Sequence, residues 1–291
     1  MARKRTGQTP KPNGATPRER LSAIEAVAGE FKSFRPAREV LTRVRAVPTI
    51  FPQLDHATRV GGLPIERFML LHGKSGEGKT YWTIGLLRSF LERGHFAVLI
   101  DAERSTPIEW LETAMGKYAT HPWFFAHRPE TYEDTVVKVR DFVNTLRRLR
   151  EKKKVPDETS ALIVVDSIRK LVPEGIFKKI TQQSKPKPGE KEKVKDRSAQ
   201  IKAAMNAAWL DELIPLLEQT RTAMVVIARE TEDPEADIWD KRRGEDYKVG
   251  GGSALYYDAS MVFRVERASY VRASAGDAED KTPKAVYGER H

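Results

Sequence analysis

Gly73-Lys74-Ser75-Gly76-Glu77-Gly78-Lys79-Thr80 is a glycine-rich run with a basic and a hydroxyl residue at its end. It fits the spacing Gly, four residues, Gly, Lys, Ser or Thr, in which glycines let backbone N–H groups converge on phosphate oxygens. The motif requires a strand before it and a helix after it. Phe68, Met69, Leu70 and Leu71 supply the apolar strand, and 79–93 carries helical spacing. The start of that helix adds its own N–H donors and the positive end of its dipole. Lys79 is placed to hold β- and γ-phosphates, and Thr80 to ligate a divalent cation. Gly73, Lys74, Ser75, Gly76, Glu77 and Gly78 form the cradle itself.

Outward from this loop, strand and helix alternate. Short apolar runs at 68–71, 96–100, 123–125, 161–165, 223–227 and 260–265 read as strands. Helical stretches at 79–93, 107–117, 132–152 and 199–220 lie between most of them. Continuous apolar strands alternating with helices predict an α/β fold, a mostly parallel sheet covered on both faces. Thr106-Pro107-Ile108-Glu109 has the pattern of a capping box with proline at the first helical position. Leu21, Ile24, Val27 and Phe31 show helical spacing over 21–33. The chain is expected to divide into a disordered basic tail (1–20), a helical segment (21–50), the main domain (51–267) and a C-terminal strand or hairpin (268–291).

Two strands end in acid. Ala161-Leu162-Ile163-Val164-Val165-Asp166-Ser167 places Asp166 at a strand's carboxyl end, where it would join Thr80 in holding Mg²⁺. Val98-Leu99-Ile100-Asp101-Ala102-Glu103 places Glu103 just past a second strand end. From there it can reach a water in line with the γ-phosphate and take its proton. Asp101 is expected to be structural. Carboxylates so close to phosphates make the cation obligatory.

Composition narrows the alternatives. With no Cys, disulfides, thiol catalysis and Cys-based zinc are excluded. The six His are scattered without metal-ligand spacing. No apolar run reaches the roughly 18–20 residues of a membrane span, and the first residues lack the apolar stretch of a signal peptide; a cytoplasmic protein without membrane attachment is expected. The net charge of +10 resides in two places: residues 1–20 and 178–197 each carry +5. Such basic segments on an otherwise neutral chain suit a polyanionic partner, or are solvated segments that aid solubility.

With these motifs in order, the chain resembles the RecA-type recombinase family: bacterial RecA and its phage and archaeal relatives. The resemblance covers about residues 21–267. Gly61-Gly62-Leu63-Pro64 resembles the segment ahead of the family's phosphate-binding strand. Ile100-Asp101-Ala102-Glu103 resembles the strand with the catalytic glutamate, and Val164-Val165-Asp166-Ser167 the Walker B strand. Gly251-Gly252-Ser253-Ala254-Leu255 resembles the segment closing the second DNA-binding loop. The resemblance implies a RecA-like P-loop NTPase core with a short N-terminal helical oligomerisation segment, and ATP with Mg²⁺. Trp110 stands where the family has a Tyr that stacks on adenine. The first DNA-binding loop falls on the basic segment with Lys178, Lys179, Lys185, Lys187, Lys191, Lys193, Lys195 and Arg197. The second falls on 230–249, where Trp239, Lys241, Arg242 and Arg243 form a local contact patch, closed by Gly251 and Gly252. Residues 21–45 would assemble copies of the chain into a helical homo-oligomer.

The sequence departs from the family in three places. The polar Asn-Gln pair ending the fifth strand is Ala228-Arg229; Arg229 either takes over sensing of the γ-phosphate, and so a catalytic role, or points outward. The stretch 230–249 carries eight acidic against four basic residues. The chain ends at His291, where the family continues into further strands. The implied function is an ATP-dependent recombinase, a DNA-dependent ATPase forming filaments on single-stranded DNA and pairing it with double-stranded DNA. A paralogue that regulates or mediates for another recombinase, and a ring helicase, are the alternatives.

Overall fold

The computed structural model describes residues 16–30, 37, 43–182, 190–243, 246–266, 270–272 and 286–289. These fall into two compact units, residues 1–44 and 45–291. In the first, helix α1 (Pro17–Glu30) begins inside the stretch expected as a disordered tail, and Leu21 and Val27 on it are exposed. Phe31 lies outside the described residues.

The second unit follows the expected alternation. In chain order it contains β1 (Ala46–Val47), α2 (Pro52–Ala57), β2 (Leu63–Pro64), β3 (Phe68–Gly73), α3 (Lys79–Glu92), β4 (Phe96–Asp101), α4 (Ile108–Met115) and β5 (Phe124–His127). It continues with α5 (Tyr132–Glu151), β6 (Ala161–Asp166), α6 (Glu174–Gln182), α7 (Glu190–Gln219), β7 (Thr222–Glu232), α8 (Ile238–Arg243), β8 (Tyr247–Val249), α9 (Ser253–Tyr257) and β9 (Met261–Arg264). Six strands form a parallel sheet in the order β5-β4-β6-β7-β3-β9, and β8 adds antiparallel to β7. Strands β10 (Tyr270–Arg272) and β11 (Val286–Glu289) pair with each other.

The apolar runs are strands because both faces of the sheet are covered. Met69 and Leu71 of β3 join one core cluster with Ile84, Leu87 and Phe90 of α3, while Phe68 and Leu70 join the opposite cluster with Val143 of α5 and Leu213 of α7. All six residues of β6 are buried. Each such side chain removed from water contributes roughly 1.5–3 kcal/mol, so Leu71→Ala would cost about 2–5 kcal/mol. Helix α5 starts where Thr131 accepts a hydrogen bond from the Asp134 backbone N–H at 3.1 Å. Thr135, Val139, Val143 and Leu146 give it one buried stripe.

Three expectations need correction. The capping box at Thr106 does not form: Pro107 is the N-cap of α4, no side chain caps it, and the buried Thr106 hydroxyl has no hydrogen-bond partner. The basic 178–197 segment is not an open loop where described, since Lys178 and Lys179 belong to α6 and 190–197 to α7. Glu and Lys are good helix formers, and that preference prevails over the loop that the resemblance implied. The 230–249 loop is shorter than expected, because β7 runs on to Glu232 and β8 returns from Tyr247.

Candidate nucleotide site

The parallel topology brings the carboxyl ends of β3, β4, β6 and β7 to one edge, where ligands of open α/β sheets bind. The loop from Gly73 to Gly78 closes on itself there. Gly76 and Gly78 have φ of +83° and +86°, which side chains disfavour. Gly78 then caps α3 without any side chain, leaving the first N–H groups of the helix facing the loop. Glu77 accepts a hydrogen bond from the Lys74 backbone N–H at 2.7 Å. The Lys79 ammonium donates to the Gly73 and Lys74 carbonyls at 2.9 and 2.5 Å, folded back into the cradle. Its pKa is lowered, first by burial and also by the nearby Arg229, with Glu77 opposing. A phosphate would add counter-charge to this partly desolvated cation.

Thr80 Oγ1 donates to Asp166 Oδ2 at 2.5 Å. Asp166 is buried, and burial pushes its carboxyl up to about 6, assisted by the charges of Glu103 and Asp101 and opposed by the Thr80 hydrogen bond and Lys79. An oxygen-only pair whose carboxylate resists ionisation in the bare site suits a hard divalent cation such as Mg²⁺. Strand pairing sets Asp101 beside Asp166, and the Ala102 and Glu103 N–H groups both donate to the Asp166 carbonyl, at 2.7 and 3.1 Å. Glu103 is thereby held across from the loop, and Ser167 Oγ donates to its Oε1 at 2.6 Å. Asp101 instead accepts from Arg128 Nε at 3.0 Å and the Ser105 N–H at 3.2 Å, a structural position as expected.

Arg229 turns inward. Its guanidinium donates to the Ser75 hydroxyl, which decides the geometric alternative left open by the sequence. Lys79, Thr80, Glu103, Trp110, Asp166 and Arg229 all line one cavity of about 300 Å³. Trp110 is half-buried: it packs on the core and also faces the cavity, with the Tyr81 ring 6.4 Å away. Tyr81 and Ser167 also line it and were missed by sequence reasoning. Ser167 was signalled only by its place after Asp166, and Tyr81 by its place one residue past the phosphate motif.

The residues assigned to DNA fall in three places. Gly251 and Gly252 pack against α7, where a Cβ on Gly252 would come within 2.6 Å of the Ala203 Cβ. Asn206 on α7 holds Gly251 through a 2.6 Å bond to its carbonyl. This segment lines a second cavity of about 750 Å³ together with Arg169, Lys202 and Lys248, cations that the motifs had not singled out. On α8, Trp239, Lys241, Arg242 and Arg243 are exposed, with the Arg242 guanidinium 5.1 Å from the Trp239 ring centre. Lys178 is exposed and pairs with Glu174 at 2.6 Å. Lys185 and Lys187 lie outside the described residues, as do the side chains of Lys179, Lys191, Lys193, Lys195 and Arg197. Among the described residues no cluster of His, Asp and Glu forms a separate metal site, and no helix is long and apolar enough to cross a membrane.

No family model matches the chain. Among curated proteins, it is 26% identical over 265 residues to the plasmid protein RecA of Lactococcus lactis, covering 90% of this chain and 67% of the relative. It is 26% identical over 239 residues to protein RecA of Mycoplasma pneumoniae, covering 81% of this chain and 60% of the relative. An 85-residue stretch reaches 36% identity with protein RecA of Xylella fastidiosa, covering 29% of this chain and 24% of that protein. The chain thus spans about 60–67% of the first two relatives' length.

Proposed function

We propose that the chain is a RecA-type protein, a reading supported by its similarity to curated RecA proteins, and that it is a cytoplasmic, DNA-dependent ATPase that forms filaments on single-stranded DNA and pairs it with double-stranded DNA in recombination and repair. The observation that carries the ATPase reading is the 2.5 Å contact between Thr80 and Asp166 at the mouth of the phosphate cradle. Glu103 on one side and Arg229 on the other line the same cavity.

The roles follow from position. The cradle N–H groups and Lys79 grip the β- and γ-phosphates of ATP, and Trp110 offers its face to the base. Thr80 and Asp166 would hold Mg²⁺, whose charge offsets that of the phosphate oxygens when bound. Glu103, with one carboxylate oxygen already engaged by Ser167, accepts the proton of the attacking water through the other. The Arg229 guanidinium stands where negative charge grows on the γ-phosphate.

DNA engages the basic surfaces. The support is the cation-lined cavity at Gly251 and Gly252, the exposed Trp239 and basic residues of α8, and the lysine-rich ends of α6 and α7. The acidic balance of 230–249 favours one second reading, a paralogue that regulates or mediates for another recombinase. Part of that acid is accounted for within the structure, since Glu230 is buried and Asp233 pairs with Lys248 at 2.9 Å.

Comparing ATP turnover of the unmodified protein and Lys79→Ala, with and without single-stranded DNA, tests this reading. Turnover should rise with DNA and vanish in the variant, whose fold should survive because Lys79 contributes charge rather than core packing. Equal turnover in both proteins would refute the site. Turnover that is abolished by Lys79→Ala but unaffected by DNA would refute its DNA dependence alone.

A further inference from the structure

On the face of the sheet opposite the phosphate cradle, the carboxyl ends of β3, β7 and β9 are tied together by a buried carboxylate. Glu230 is 6% exposed. Its Oε1 is 2.8 Å from His72 Nδ1 and accepts from Arg264 Nε at 3.0 Å, and Arg264 Nη2 lies 3.4 Å from Oε2. The Tyr247 ring of β8 lies 4.3 Å from the Arg264 guanidinium and 5.6 Å from the His72 ring. The adjoining positions Val226 and Ala228 on the same face of β7 are apolar core, so an apolar side chain at 230 would have continued the pattern. A charged group here instead binds three strands to one another.

The placement of this lock relates it to the cradle. Side chains alternate across a strand, so Arg229 projects to the other face, where it reaches Ser75. In the ladder Gly73 pairs with Arg229, and His72 pairs with both Ala228 and Arg264. The lock is therefore one residue from the first residue of the cradle and one residue from Arg229. A long guanidinium side chain needs a fixed base if its head is to stand at one point.

We infer that Glu230, His72 and Arg264 are positioning residues for Arg229: the carboxylate lock on one face of the sheet sets where the guanidinium stands over the phosphate cradle on the other. The inference rests on the reading of the cradle as an ATPase site. Through Tyr247 the same lock contacts β8, so β8 and the cradle share one clamp.

The test uses the full chain with Glu230→Gln, close to the same volume but without the charge, and Arg264→Lys, which keeps the charge but loses the fork. Both should lower kcat for ATP about tenfold to a hundredfold, the scale of a misplaced catalytic group. KM should change much less, since Lys79 and the cradle are untouched. Arg229→Ala should cause a comparable fall, and adding Glu230→Gln to it should lower kcat no further. The Arg229 side-chain Nε–H resonance, assigned by its loss in Arg229→Lys, should shift or broaden in both lock variants. An unmoved resonance, or additive losses in the double variant, would overturn the inference. If the unmodified protein turns over ATP no faster than Lys79→Ala, the ATPase reading fails, and the resonance alone then decides the positioning role. Should Glu230→Gln not fold, Arg264→Lys carries the same readouts.

Discussion

Asp166 is held at the mouth of the cradle by opposing requirements. Burial pushes its carboxyl up to about 6 in the folded chain, against an ordinary 3.8. The folded state therefore binds the proton more tightly than the unfolded state, and stability without ligand falls as pH rises from about 4 through 6. Two units correspond to about 3 kcal/mol. Asp166→Asn should make the ligand-free protein more stable at pH 7, by up to that amount, and flatten its stability over pH 4–7. The same change should weaken Mg²⁺-dependent ATP binding. Thermal unfolding of both proteins across that pH range checks this, and parallel profiles would show that Asp166 is ionised freely. Glu103 is exposed and joined to Ser167. Glu103→Gln should retain ATP affinity yet lower single-turnover hydrolysis about 10²–10⁴-fold; loss of affinity instead would make Glu103 structural. Both carboxylates were legible in the sequence because each ends an apolar run. The inward turn of Arg229 was not, since the alternation of a strand says which face a side chain takes but not what lies there. The unsatisfied Thr106 shows the reverse failure: its local pattern was a good cap, and tertiary packing placed the helix start one residue on.

At the scale of elements, the central strands β3, β4, β6 and β7 could be read because burial on both faces gives each a run of consecutive apolar residues. The β7–β8 ribbon could not, because its buried Glu230 and half-buried Tyr247 break the apolar pattern. Helix α7 was read too short for a related reason. Its first turns, Glu190-Lys191-Glu192-Lys193-Val194-Lys195, are charged throughout and resemble a solvated loop, yet these residue types favour helix. Lys191 and Lys193 sit near the positive end of the helix dipole, where cations are unfavourable. Changing Lys185, Lys187, Lys191, Lys193 and Lys195 together to Gln keeps helix propensity while removing charge. Thermal stability should hold or rise slightly. Affinity for single-stranded DNA should fall, and the log–log salt slope should flatten by about 0.7 for each phosphate no longer neutralised. ATP binding should persist. An unchanged affinity and slope would assign these lysines to solubility alone.

For the whole molecule, the core unit is furnished to stand without the first 44 residues. Its two buried clusters cover both faces of the sheet. Arg45 must be kept, because its carbonyl accepts from the Ile65 N–H at 3.0 Å and its guanidinium pairs with Glu66. The expected polymerisation segment ran to residue 45, and the cut therefore belongs after Val44. Helix α1 is in a different situation, with Leu21 and Val27 60% and 57% exposed. Covering two such partly exposed side chains against another copy would contribute roughly 1–2 kcal/mol each, modest alone but repeated at every junction of a filament. Chains 45–291 should therefore unfold at nearly the same temperature as the full protein and bind ATP, yet sediment as monomers with an ATP analogue and DNA. The deletion also removes the basic 1–20 stretch, which could weaken DNA binding by charge alone. Leu21→Ser with Val27→Ser in the full chain separates the two causes, since every charge remains. If α1 joins neighbouring copies, this pair should abolish polymers as the deletion does, while single-site DNA affinity and its salt slope stay as in the unmodified protein. Polymers that persist in the serine pair but not in the deletion would move the junction from the apolar face of α1 to the basic tail.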